Sequence, residues 1–451
     1  MSTALIVLAA GKGTRMDSDL PKVLHRIAHA PMLWHAMRAG RALEPEACIV
    51  VAGHEAALVE ASAKDYDPEA QVVIQSQQLG TAHAVAQARP ALEGFGGNAI
   101  VLYGDTPFIR EETLEAMLEA RAQHDVVVLG FEAADPGRYG RLVTQGDDLE
   151  RIVEFKDASD EERAITLCNS GVVCAKAETL FNLIDAVGND NASGEYYLTD
   201  IVGIARAREL SATVVRCDEG ETLGVNSRAE LAAAERLFQT RRRAEMMDDG
   251  VSFQAPDTVF LAWDTYIGGD TEVEPNVVFG PDVTVESGAR IRAFSHLEGA
   301  HVSRGSVVGP FARLRPGAEL AENVHVGNFV EIKNAVLHDG VKANHLTYIG
   351  DAEIGARTNI GAGTVTCNYD GVFKHKTTIG SDAFIGSDTM LVAPVTLGNG
   401  AMTASGSTIT QDVPSGALAV ARARQETKPG LATKLFDKLR ARKAKQIKGA
   451  E

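Results

Sequence analysis

The chain has 451 residues, enough to bury at least two cores, and its 45% hydrophobic and 23% charged residues are the composition of a soluble globular protein. No apolar run approaches the roughly 20 residues of a membrane span, and the first apolar stretch has no basic segment before it, so it reads as a strand rather than a signal peptide and a cytoplasmic location is expected. A formal net charge of -17 disfavours a broad nucleic-acid footprint and leaves small phosphorylated ligands, held by local cation clusters, as the expected partners.

The first element is a short β-favouring run over residues 4–10, a buried strand. It leads into Leu8-Ala9-Ala10-Gly11-Lys12-Gly13-Thr14-Arg15-Met16, with Pro21-Lys22 downstream. Gly11 and Gly13 let backbone amides turn toward an anion, and Arg15 and Lys22 add two cations suited to a polyphosphate. A dinucleotide fingerprint needs a third small residue where Met16 stands, and a Walker loop needs Ser or Thr where Gly13 stands, so neither motif applies. The two glycines alone mark no more than a tight turn; the complete string carries the nucleotide reading.

Up to about residue 225, strands at 47–52, 72–74, 99–103 and 126–131 alternate with helices at 32–42, 81–88 and 111–124. This predicts a mostly parallel, Rossmann-like α/β sheet. Ligands of such sheets gather beyond the carboxyl ends of strands, where residues 11–15 and Gly104-Asp105 both fall. Asp105 also has a plain alternative as a helix cap before Thr106-Pro107, and Asn226 shares that ambiguity. Ser227 opens a helix-like stretch to residue 247, with Ser227 and Glu230 in capping-box spacing, as a connector between domains.

Beyond about residue 275 apolar residues recur every six positions, at Val308, Leu314, Leu320, Val326 and Ile332, then at Ile379, Ile385, Leu391, Leu397 and Ile409. This period fits neither a helix nor a flat strand and resembles the hexapeptide of left-handed parallel β-helices, whose aliphatic residues point into a triangular prism. Residues excluded from such a coil form loops at its binding face, and interruptions are expected at 338–348 and 366–376. Near them stand Arg315, Lys333, Asn344, His345, Tyr348, Asn359, Asn368, Tyr369 and Ser387. Arg315 and Lys333 can pair with a sugar phosphate, and a neutral imidazole at His345 can take a proton from an attacking amine. Singly each would be an ordinary surface residue; their company points to a site. The five cysteines, Cys48, Cys168, Cys174, Cys217 and Cys367, lack paired metal-ligand spacing and read as reduced thiols. The basic tail over 434–448 is amphipathic enough to be a helical, solvated terminus.

Leu-x-x-Gly-x-Gly-Thr-Arg-Met with Pro-Lys downstream resembles the signature of sugar-nucleotide pyrophosphorylases. Gln75, Leu79-Gly80-Thr81-Ala82, Tyr103-Gly104-Asp105, residues 137–141, Glu154-Phe155-Lys156 and Asn169-Ser170-Gly171 follow in the order such enzymes present them. With residues 309–317, 345–355 and 359–371 added, the resemblance covers nearly the whole length. It is to the bacterial bifunctional enzymes that are N-acetylglucosamine-1-phosphate uridyltransferases and glucosamine-1-phosphate N-acetyltransferases. It implies a nucleotidyltransferase domain at 1–226, a linker helix at 227–250, and a left-handed parallel β-helix acetyltransferase domain with its tail at 251–451. It also implies a homotrimer with acetyl-transfer sites between subunits, and a product, UDP-N-acetylglucosamine, used in peptidoglycan and lipopolysaccharide synthesis.

Carried over by that resemblance, Leu8, Ala9, Ala10, Gly11, Gln75, Gly80 and Thr81 surround the uridine of UTP, while Arg15 and Lys22 act on the triphosphate. Tyr103, Gly104, Gly140, Glu154 and Asn169 hold the N-acetylglucosamine part, and Asp105 and Asn226 ligate Mg²⁺. In the second site His345 is the base, Arg315, Lys333, Tyr348 and Asn359 hold the substrate, and Ala362, Asn368, Tyr369, Ser387, Ser405 and Arg422 lie nearer acetyl-coenzyme A. Ser405 is a departure, since Ala404-Ser405-Gly406 replaces an expected Ala-Ala-Gly. Two other readings stay open: a pyrophosphorylase whose β-helix only assembles or regulates it, and a translation-factor-like scaffold. His345 with the Asn368-Tyr369 loop weighs against the first, and Arg15, Lys22 and Asp105 weigh against the second.

Overall fold

The computed structural model describes residues 2–448, which divide into two compact units. The first unit runs to Asp249 and includes Pro256–Thr265 and Phe279–Asp282. The second comprises Gly250–Ala255, Tyr266–Val278 and the chain from Val283 onward.

A nine-stranded sheet centres the first unit, in the order Gln71–Ile74, Ala47–Ala52, Thr3–Ala9, Asn98–Tyr103, Leu167–Lys176, Val126–Glu132, Ala212–Cys217, Asp148–Val153 and Arg141–Gln145. Thr3–Ala9 is buried along its whole length because parallel strands flank it and helices cover both of its faces. Its side chains alternate between two cores. Ala4, Ile6 and Leu8 pack with Val85, Leu180 and Ile201, whereas Leu5, Val7 and Ala9 pack with Leu33, Met37, Leu114 and Met117.

The predicted helices form as Met32–Arg41, Thr81–Ala86 and Glu111–Arg121. The middle one stops early because a 3₁₀ turn with Pro90 in its first positions follows at Arg89–Leu92. Leu167–Lys176 runs antiparallel to both neighbours in an otherwise mostly parallel sheet, and its register shifts between Asn169 and Val173. That bulge takes Ser170, Gly171 and Val172, just after Asn169, out of the ladder.

The capping box at Ser227 is formed: the Ser227 hydroxyl accepts from the Glu230 amide at 3.3 Å, and Glu230 Oε2 accepts from the Ser227 amide at 3.0 Å. The helix Arg228–Asp248 packs within the first unit, where Gln239 exchanges two hydrogen bonds with the Leu261 backbone.

The second unit is the left-handed hexapeptide β-helix expected from the six-residue period. Arg290 pairs with Val307, Val307 with His325, His325 with Lys342 and Lys342 with Asn359, steps of 17 or 18 residues that correspond to three hexapeptides per coil. All ten periodic aliphatics named above are buried. At one corner Phe294, Phe311 and Phe329 take left-handed φ and stack, with ring centroids 5.0 and 5.3 Å apart.

One expected interruption is not there. Residues 338–348 follow the regular coil, with Lys342–His345 pairing between His325–Asn328 and Asn359–Ile360. Ala343 fills the inward position there, a small residue between Val326 and Ile360 on the adjoining coils. The second interruption is real: Asn359 pairs with Phe384, a longer step that accommodates the excursion after Val365–Cys367. Asp370 organises that loop, accepting from the Val372 and Phe373 amides at 2.8 and 2.7 Å and from His375 Nε2 at 2.7 Å.

Candidate active sites

In the first unit a cavity of about 240 Å³ opens beyond the carboxyl ends of the parallel strands. Leu8, Ala9, Ala10, Gly11, Lys22, Gln75, Gly80, Thr81, Tyr103 and Asp105 all line it. Gly104 lies behind the lining, donating to the Leu8 carbonyl at 2.9 Å. Gly13 has a geometric need for its missing side chain, since a Cβ there would meet Lys22 Cβ at 2.5 Å. The absence of that Cβ lets the loop fold over Lys22. Arg15 is exposed on the 3₁₀ turn Thr14–Met16, whose Met16 is buried, and lies outside the cavity lining.

Asp105 is not a helix cap, because the following helix begins only at Glu111. Its carboxylate instead accepts from the Lys22 ammonium, which also donates to Asn226 Oδ1 at 2.9 Å. Ser227 takes the cap role, leaving the Asn226 side chain free to face Lys22. A carboxylate and an amide oxygen thus converge on one cation, from positions 83 and 204 residues away in sequence.

Tyr103 extends the site toward the bulged strand. A Cβ at Gly171 would lie 2.7 Å from its ring, so glycine is what allows the two to touch. Burial pushes the Tyr103 phenol well above its ordinary value, with Asp105 and Glu154 adding to the shift. The Asn169 amide donates to the Gly140 carbonyl at 2.9 Å, and Gly140 lies against Glu154. Burial raises the Glu154 carboxyl too, assisted by Asp200 and Asp157, while a 3.2 Å bond from Thr199 opposes it. Gly140, Glu154 and Asn169 thus lie together outside the cavity lining, with Tyr103 within electrostatic reach of Glu154.

In the second unit Arg315, Lys333, Tyr348 and Asn368 lie on adjoining coils, where Glu331 pairs with Tyr348 and Lys333 with Gly350. Arg315 donates to Glu331 at 2.7 Å. Lys333 lies against Lys374, and these like charges, with Arg315 beside them, depress the Lys333 ammonium. Tyr348 and Asn368 crowd the Cα of Gly350, and Asn368 donates to Asp351. His345 ends the strand Lys342–His345, three residues before Tyr348, and its side-chain partner is Asn328. Its Nδ1–H donates to Asn328 Oδ1 at 3.0 Å, which leaves Nε2 as the ring's acceptor. The backbones of Ala362 and Ser387 are tied into neighbouring coils by bonds from Asp388 and Gly406, and Asn359 by its own amide to Ala383. Arg422 meets Ser405, donating to its carbonyl at 2.8 Å. Tyr369 is exposed on the loop, its hydroxyl donating to Gly371 at 2.6 Å.

Comparison with known proteins agrees with both halves. Residues 5–193 match the MobA-like NTP transferase domain, and residues 376–411 match the bacterial transferase hexapeptide repeat. A bifunctional protein GlmU of Ruegeria sp. (strain TM1040) is 70% identical over 449 residues, covering all of both chains. One from Cereibacter sphaeroides (strain ATCC 17025 / ATH 2.4.3) is 70% identical over 448 residues, covering 99% of each. The chain belongs to the GlmU family of bifunctional proteins.

Within this GlmU-family chain several residues around the sites carried no signal in the sequence reading. Gln78, Val23, Ala84 and Glu195 also line the first cavity, and Gln78 donates to the Ala10 carbonyl at 2.6 Å. Arg228 reaches the Met16 carbonyl at 3.2 Å and anchors the phosphate loop from the long helix. Arg141, part of the 137–141 segment already singled out, is almost wholly buried and donates to the carbonyls of Tyr139 and Gly137, so it shapes the turn that presents Gly140. Asn328 and Lys374 are the corresponding omissions in the second unit. All five cysteines are unpaired, and none is exposed. The tail helix Leu431–Lys448 is exposed at every residue whose side chain is described. No helix among the described residues is long and apolar enough to cross a membrane.

Proposed function

We propose that the chain acetylates glucosamine 1-phosphate with acetyl-coenzyme A and then couples the N-acetylglucosamine 1-phosphate formed to UTP, releasing pyrophosphate. The observation that carries the uridyl half is the convergence of Leu8 to Gly11, Lys22, Gln75, Gly80, Thr81, Tyr103 and Asp105 on one cavity at the strand ends. Gln75, Gly80 and Thr81 take the base, and Tyr103, Gly140, Glu154 and Asn169 take the sugar. Lys22 and Arg15 neutralise the phosphates. The sugar-phosphate oxygen attacks the α-phosphorus, the bond from that phosphorus to the bridging oxygen of the β-phosphate breaks, and pyrophosphate leaves. Such a transfer needs positioning and charge neutralisation more than a covalent group from the protein.

Asp105 and Asn226 would hold Mg²⁺. Both oxygens already face a single cation, the Lys22 ammonium, and both are hard donors of the kind Mg²⁺ takes alongside phosphate oxygens and water. When bound, the ion supplies further neutralisation of the phosphate charge.

For acetyl transfer, the bond from His345 Nδ1–H to Asn328 leaves Nε2 free to take the proton as the amine attacks the thioester carbonyl and coenzyme A leaves as the thiol. Arg315, Lys333, Tyr348 and Asn359 bind the sugar phosphate, with Lys374 adding a third cation. Ala362, Asn368, Tyr369, Ser387, Ser405 and Arg422 serve acetyl-coenzyme A. The family resemblance implies that the chain works as a homotrimer with acetyl-transfer sites between subunits. Coenzyme A release and UTP-dependent pyrophosphate release, assayed on one preparation, test the whole reading: both activities are expected, and either one missing refutes that half.

A further inference from the structure

Gln75 is almost wholly buried at the wall of the nucleotide cavity, and its side-chain amide is held from two sides. Its Nε2 lies 3.0 Å from the Gly80 carbonyl oxygen and 3.0 Å from His83 Nδ1. A carbonyl oxygen only accepts, so the nitrogen, not the oxygen, of the Gln75 amide must face Gly80. Its second N–H then points to His83, which must accept at Nδ1 and carry its proton on Nε2. The other ring nitrogen lies 3.3 Å from Gln87 Nε2, a longer contact, and that amide already donates to the His83 carbonyl at 2.9 Å. A neutral imidazole has one acceptor nitrogen, and the shorter contact takes it.

With both N–H groups of Gln75 engaged, the only polar atom of its amide left for a ligand is Oε1. We propose that His83 is a positioning residue for the nucleobase: it holds the Gln75 amide with its carbonyl oxygen turned to the cavity, where that oxygen accepts from the N3–H of uracil. Cytosine carries a lone pair at N3 and would set acceptor against acceptor. The inference rests on the assignment of this cavity to the base of UTP.

The test is a double-mutant cycle on the full chain, reading UTP dissociation by calorimetry and the KM and kcat of pyrophosphate release. His83→Leu keeps bulk but removes the acceptor, and should weaken UTP by about three- to tenfold, the worth of one neutral hydrogen bond, in KM rather than kcat. His83→Asn, which returns an acceptor near the place of Nδ1, should restore most of the loss. In a Gln75→Leu background, His83→Leu should have no further effect, because its only route to the base is gone. An equal loss from His83→Leu in both backgrounds, or no loss in the wild-type background, overturns the positioning role while leaving the uridine site in place. If Gln75→Leu alone leaves UTP binding unchanged, the placement of the base fails, and this proposal fails with it.

Discussion

Replacing Gly80 by Ala tests the nucleotide cavity through backbone geometry alone. Gly80 has φ 116° and ψ 178°, a region that residues with a Cβ enter only at a cost of about 1–3 kcal/mol. The added Cβ would also sit 2.5 Å from the Tyr196 carbonyl oxygen and 2.7 Å from its nitrogen, about 1 Å inside ordinary contact. Those are backbone atoms and cannot rotate away. Relief requires the Tyr196 segment to move, which strains the bonds from the Tyr196 amide to Leu79 at 2.8 Å and from the Ala82 amide to Tyr196 at 3.0 Å. At about 0.5–1.5 kcal/mol for each bond, the combined effect is roughly 2–6 kcal/mol, divided between lower stability of the first unit and a displaced cavity wall. UTP KM is expected to rise at least about tenfold, a change of ~1.4 kcal/mol, and the urea midpoint of the first unit to fall. Acetyl transfer is expected to be unaffected. A Gly80→Ala variant with wild-type KM and wild-type urea midpoint would show that the Tyr196 segment yields freely and that the steric reasoning is wrong.

Asp105→Ala should abolish Mg²⁺-dependent pyrophosphate release and leave acetyl transfer largely intact; loss of both activities in a well-folded variant would refute independent sites. His345→Ala should cost on the order of 10²–10⁴ in acetyl-transfer rate while uridyl transfer persists, and a wild-type rate would remove His345 as the base. Asp370, exposed on the loop after Val365–Cys367, has its carboxyl held down at about 2 by His375 and by the Phe373 and Val372 amides. A lowered carboxyl pKa stabilises the folded loop above the unfolded value of about 3.9, and that stabilisation is lost as pH falls from there toward 2. Hydrogen exchange at Val372 and Phe373 should therefore accelerate, relative to the rest of the coil, as pH falls through this window. Asp370→Asn should flatten the dependence, and an unchanged profile in that variant would assign it to another group.

Two periodicities and one motif made most of the architecture legible in the letters. The alternation of strand and helix runs gave the α/β half because burial on both faces of Thr3–Ala9 demands an unbroken apolar run. A six-residue aliphatic spacing has one common structural solution, so it identified the coil without any contact being known. The glycine string located the phosphate loop, since only residues without a Cβ allow Lys22 to pack against Gly13.

What the letters could not decide was non-local. The coil continues unbroken through residues 338–348, where the six-residue aliphatic pattern lapses because the inward position holds Ala343, as deeply buried as the large aliphatics around it. The insertion of Leu167–Lys176 against the direction of its neighbours, with its bulge at Asn169, follows from how three strands share hydrogen bonds and leaves no local trace. Sequence alone determined which residue types were available for chemistry and which elements carried them. Tertiary structure decided that Lys22 meets Asp105 and Asn226, that Gln75 is turned by Gly80 and His83, and that His345 meets Asn328. The physical reason is that hydrogen-bond polarity and charge pairing act over a few ångströms in space, whatever the separation along the chain.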